Sequence, residues 1–138
     1  VVYAADSAKT GDQHAQYGLI PGGGGSQRLP RLVGLRRALE LMYSARWLEM
    51  PEAREWGLVN HVVPAQELDT ASMAFCQQLT TRNREGIALM KKLAREGLAM
   101  SPGDGLRLEE ALIVDALQED NVGEGLAAFA QRREPNFK

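Results

Sequence analysis

Tyr17-Gly18-Leu19-Ile20-Pro21-Gly22-Gly23-Gly24-Gly25-Ser26-Gln27-Arg28-Leu29-Pro30-Arg31 decides how this chain is read. Four successive glycines demand unusual backbone dihedrals or a close approach by something else. After them Ser26 is placed to cap a helix, and Leu29, Leu32 and Val33 follow at helical spacing. A glycine turn opening into a helix exposes backbone N–H groups in a field that favours negative charge. The run lacks the Lys-Ser/Thr ending of a phosphate-binding P-loop and belongs to no G-x-G-x-x-G unit. It therefore either packs against a sheet or lets a ligand come close to its backbone.

Outward from that turn the pattern changes character. Val1 to Ala5 reads as a short buried strand, and residues 6–16 as loop or edge structure. Gly34 ends the first helix, and Leu35, Ala38, Leu39 and Met42 make one stripe of a second. Pro51 opens a short helix stopped by Gly57, and Leu58 to Val63 is the last strand, ended by Pro64. Beyond Pro64 the chain is helical. Leu68 to Leu79 and Ile87 to Leu98 carry helical stripes, with Cys76, Trp47 and Trp56 expected to pack in the interior. Ser101-Pro102-x-Asp104 is an N-cap, a first-turn proline and a first-turn acid, and a final helix covers Asn121 to Gln131. The expected class is α/β, with residues 1–64 as a mixed core and 65–138 as a helical region.

Composition narrows the function classes. The chain has 138 residues, 44% hydrophobic and 25% charged, which excludes a disordered chain or a rod. Sixteen Lys and Arg against eighteen Asp and Glu leave a net charge of -2, so nothing global points to nucleic acid or an anionic membrane. No apolar run reaches the roughly 18–20 residues of a membrane span. A single cysteine admits neither an internal disulfide nor a Cys-based metal site, and a reducing, cytoplasmic setting is expected. The opening Val1-Val2-Tyr3-Ala4-Ala5-Asp6 reads like the middle of a domain, which suggests truncation.

The stretch Tyr17–Arg31 resembles the signature of the enoyl-CoA hydratase/isomerase family, the crotonase superfamily. Val2 to Gly11 resembles its strand and "A-x-x-A-x-F-G" segment. Arg46 to Pro64 resembles its "G-R-x-x-x-A-x-E-A-x-x-x-G-L-V" segment, and Glu124 to Phe137 its ending "E-G-x-x-A-F-x-x-K-R-x-P-x-F". The resemblance covers essentially the whole chain and implies the C-terminal part of a crotonase-like ββα spiral fold, followed by a helical trimerisation region. It also implies an acyl-CoA thioester as ligand, no cofactor beyond the CoA of the substrate, no metal, and a homo-oligomer, trimer or hexamer. The half of the family's domain that holds the oxyanion hole lies outside the resemblance. Oxyanion donors are each worth roughly 10²–10³ in rate in comparable enzymes, so this chain alone is expected to be a weak or inactive catalyst.

One position departs from the pattern. His14 stands where hydratases of the family carry their second catalytic Glu, in Gly11-Asp12-Gln13-His14 instead of "G-Q-P-E". An imidazole titrates near neutrality and serves as a general acid or base. It does not simply replace one carboxylate of a pair, so the resemblance implies enolate chemistry of the complete domain, hydratase or isomerase-like, with thioester hydrolase and other reactions of the superfamily as further possibilities. His14 is accordingly either the acid/base group or a hydrogen-bonded loop histidine, and Asp12 either its support or a turn residue. Pro21, Gly22 and Gly23 match the loop that lines the acyl pocket. Arg132, Arg133 and Lys138 resemble the tail that holds the nucleotide end of CoA, or else form a frayed basic end. Arg28, Arg31, Arg36 and Arg37 either meet phosphate or make a solvated face, and His61 is structural. The competing reading of the whole chain is a non-catalytic helical module for assembly or binding.

Overall fold

A computed structural model describes residues 1–138. The chain divides into two compact units, Val1–Ala74 and Phe75–Lys138. In the first, β1 (Tyr3–Ala5) and β2 (Lys9–Gly11) precede α1 (Gly25–Val33) and α2 (Leu35–Ser44). β3 (Trp47–Glu49), α3 (Met50–Glu55) and β4 (His61–Val63) follow, and α4 (Leu68–Thr80) leads onward. β1 runs parallel to β4, pairing Tyr3 with His61 and Ala5 with Val63. β2 runs antiparallel to β3, pairing Thr10 with Leu48 and Gly11 with Trp47. Neither β2 nor β3 announces itself in the sequence, because three residues span less than two alternation periods.

The glycines shape the helices. Gly24 takes a left-handed φ of 91° and stands as the N-cap of α1, so the helix begins before Ser26, which caps nothing. Pro30 therefore sits inside the helix and not in its first turn, at the cost of one intrahelical hydrogen bond. Gly34, at φ 81°, lets α2 fold back on α1. The apolar sides of these helices close on Leu48 from β3 and on Met50, Ala53 and Trp56 around α3, with Val33, Ala38 and Leu41 completing the core. Two guanidiniums flank the Trp56 ring, Arg37 at 5.4 Å and Arg46 at 5.1 Å from its centroid. Arg46 is itself held by Glu52 at 2.6 Å and Glu40 at 2.9 Å. That pairing raises its pKa and lowers that of Glu52. Trp47, expected inside, is exposed, because the β3 pleat points Leu48 into the core and its neighbours outward.

The second unit contains the end of α4, then α5 (Arg84–Gly97), α6 (Pro102–Ala116) and α7 (Asp120–Gln131). Side chains cap two of these helices, Ser101 as the sequence predicts and Asn83 in addition. Asn83 accepts from the Glu85 amide, and Ser101 Oγ accepts from the Asp104 amide. α5 packs on α6, but no residue of α4, α5 or α6 is buried. Cys76 is exposed where its apolar stripe predicted an interior position. A helical stripe predicts burial only where another surface covers it.

Candidate active site

The loop after β2 turns immediately and brings Asp12 and His14 together. The Asp12 carboxylate is the only buried polar or charged side chain of the structure. Its Oδ1 accepts from the His14 backbone N–H at 3.1 Å, a local Asx turn, and contacts His14 Nδ1 at 2.7 Å. A carboxylate oxygen only accepts, so in the neutral ring Nδ1 carries the proton and Nε2 keeps its lone pair. The Asp12 side chain is 10% exposed and that of His14 40%, so the pair presents an imidazole braced from behind. Both alternatives for Asp12 are realised at once, since the same oxygen makes the turn and supports the ring.

The glycine turn stands beside this pair. A Cβ on Gly25 would lie 3.4 Å from Asp12 Oδ2 and 3.3 Å from Pro21 Cβ, so Gly25 and Pro21 close over the carboxylate. Gly22 and Gly23 differ. A Cβ on either would meet nothing within 4 Å, and neither has a positive φ. Their amide N–H groups have no partner within the chain. Packing inside these 138 residues thus gives no reason for glycine at Gly22 and Gly23.

The basic residues of the C-terminal tail belong to the second unit and are engaged unequally. Arg133 makes a two-pronged contact with Glu124 at 2.6 and 2.9 Å, and the Asn136 amide donates to the same carboxylate at 2.7 Å. Arg132 ends α7 in a left-handed conformation, φ 53°. The Lys138 backbone exchanges hydrogen bonds with the Asn121 side chain, which pins the tail along α7. Lys138 also lines a cavity of about 670 Å³ with Arg82, Arg84, Asn136 and Phe137. The residues Arg82 and Arg84 escaped the sequence reading because only the fold brings the α4–α5 turn to the tail. His61 stacks on Tyr3, with ring centroids 4.5 Å apart, as its structural reading requires. No three His, Cys, Asp or Glu side chains gather as a metal-ligand set, and no helix is long and apolar enough to cross a membrane.

The Arg133 guanidinium and then the Asn136 amide hold Glu124 down to about 2, against an ordinary 4.5. A depressed carboxyl stabilises the fold fully above its ordinary pKa and loses that contribution as pH falls through the folded value. Tail docking should therefore weaken between pH 4.5 and about 2. A carboxyl-carbon NMR titration of Glu124 checks this. The expected midpoint is near 2, moving up in Arg133→Ala, whereas an ordinary midpoint in the parent chain would mean an undocked tail.

Comparison with known proteins shows what the chain as a whole is similar to. The family model described as "Enoyl-CoA hydratase/isomerase" matches residues 1–138. A probable enoyl-CoA hydratase of Mycobacterium tuberculosis is 35% identical over 137 residues, covering 99% of this chain and 53% of that protein. Human mitochondrial methylglutaconyl-CoA hydratase is 36% identical over 139 residues, covering 98% of this chain and 41% of its own. The crystal structure of an enoyl-CoA hydratase from Bacillus anthracis superposes with a TM-score of 0.92 at 34% identity, over 99% of this chain and 53% of that one. The chain thus spans about half the length of the relatives it matches. The architecture expected from the resemblance, part of a crotonase-like α/β fold with a helical end, is the one found.

Proposed function

Because this chain belongs to the enoyl-CoA hydratase/isomerase family, we propose that it forms one side of an acyl-CoA thioester site with His14 as the acid/base group. The observation that carries this reading is the 2.7 Å contact between His14 Nδ1 and the buried Asp12 carboxylate. It leaves Nε2 as the basic atom. When Nε2 takes a proton, the imidazolium forms beside a fixed negative charge and needs no solvent rearrangement. A proton can then move between substrate or water and Nε2, as enolate-type chemistry of a thioester requires. The unpartnered amides of Gly22 and Gly23 offer a surface where an acyl chain can lie against backbone. No cofactor beyond the CoA of the substrate enters this reading, and the setting is taken as cytoplasmic.

Calorimetric titration with CoA and with a short enoyl-CoA tests the proposal. Saturable binding of both supports it. A folded sample that binds neither would remove the ligand and with it the role of His14.

A second reading has its own observation. The helices leave large apolar side chains in solvent, among them Leu98 at 89% and Phe129 at 85% exposure, with Met90, Leu106 and Leu117. Surface of that kind suits assembly, so a homo-oligomer, trimer or hexamer, is proposed as the working state, with or without catalysis. Light scattering of the purified chain reads the mass directly, and a monomer at high concentration would count against it.

A further inference from the structure

The pair Asp12–His14 can act only if the loop that carries it is held still, and its backbone bonds beyond β2 are all within the loop or to residues just downstream. β2 ends at Gly11. Asp12 bonds only within the loop, to His14. The His14 carbonyl accepts from the Tyr17 and Leu19 amides just downstream, and one side-chain hydrogen bond ties residues 12–14 to α2. Gln13 Nε2 donates to the Ala45 carbonyl at 2.5 Å. Ala45 is the C-cap of α2 and has a left-handed φ of 50°, so its carbonyl belongs to a helix end that lacks intrahelical partners. The approach is close. A Cβ on Gly11 would sit 2.8 Å from the Arg46 carbonyl oxygen and 3.2 Å from Gln13 Nε2, so only glycine brings the two segments within reach. Successive residues of an extended segment point to opposite sides. Asp12 is accordingly gripped beside Pro21 and Gly25 while Gln13 is gripped at the end of α2.

From this arrangement we infer that Gln13 is a positioning residue, whose clamp on the Ala45 carbonyl holds His14 Nδ1 against the Asp12 carboxylate. The inference gives Gln13 importance for turnover only if His14 is the acid/base group, but the clamp itself is testable without any reaction. Long-range ¹H–¹⁵N correlation spectra report which ring nitrogen of His14 carries the proton. The parent chain is expected to show His14 mainly protonated at Nδ1. Gln13→Met keeps the length of the side chain and removes the donor. It is expected to cut the Nδ1-protonated fraction by more than half while the His61 signals stay in place. A folded Gln13→Met chain with an unchanged His14 tautomer would overturn the inference. Should that variant fail to fold, hydrogen exchange of the Gln13 side-chain amide in the parent chain decides. Slowed exchange supports the clamp, and exchange at the rate of a free amide refutes it. None of these readouts involves CoA, so failure of the clamp and failure of the acyl-CoA reading are distinguishable.

Discussion

His14→Ala is expected to lower turnover of a short enoyl-CoA about 10²–10⁴-fold, the range that a positioned acid/base group supplies. On the proposed reading the imidazole meets the reacting end of the thioester and not the nucleotide, so the dissociation constant for CoA should change little. Asp12→Asn should give a smaller loss. The amide oxygen still accepts from His14 Nδ1 and keeps the tautomer, but the charge that steadies the imidazolium is gone. The order His14→Ala below Asp12→Asn below the parent chain is thus a signature of a braced base. Equal loss in both variants would point instead to collapse of the loop, which the His14 backbone bond to Asp12 makes a real competitor. Unchanged turnover in His14→Ala would exclude the role outright. Steady-state kinetics together with a CoA titration of each variant separates the three cases.

How much of this could be read beforehand depended on range along the chain. The Asp12–His14 contact spans two residues, and an Asp preceding an amide by two is a known turn signal, so the sequence carries it locally. The caps at Asn83 and Ser101 are local in the same way. The Gln13–Ala45 bond spans thirty-two residues and depends on the β2–β3 pairing, which no periodicity reveals in strands of three. Burial was legible only in part. The stripe of α5 is strong although none of its residues is buried, because hydrophobic spacing states which face seeks cover and not whether cover is present. Cys76 is exposed for that reason and Trp47 because the β3 pleat turns it outward, whereas Trp56 lies under two arginines and is buried. The family itself came from motif order across the chain, and no single element would have supplied it.

Leu48→Ala is expected to be the most damaging truncation for stability, at about 2–5 kcal/mol. Leu48 is wholly buried and is the largest side chain so enclosed. It sits at the middle of β3, opposite Thr10, in one small core with residues of α1, α2 and α3. Such a loss is a large share of the roughly 5–15 kcal/mol that holds an ordinary domain. It also acts on the site, because β3 fixes β2 and Gly11 leads directly into Asp12 and His14. Urea unfolding of Leu48→Ala should show a lower midpoint with an unchanged slope. Leu98→Ala is the informative companion. At 89% exposure it should shift stability by no more than about 0.5 kcal/mol in an isolated chain. A loss comparable to that of Leu48→Ala, appearing only at high protein concentration, would show that a second copy covers this face of α5 in solution. The two variants together thus separate the core the chain makes alone from the surface that the proposed assembly would cover.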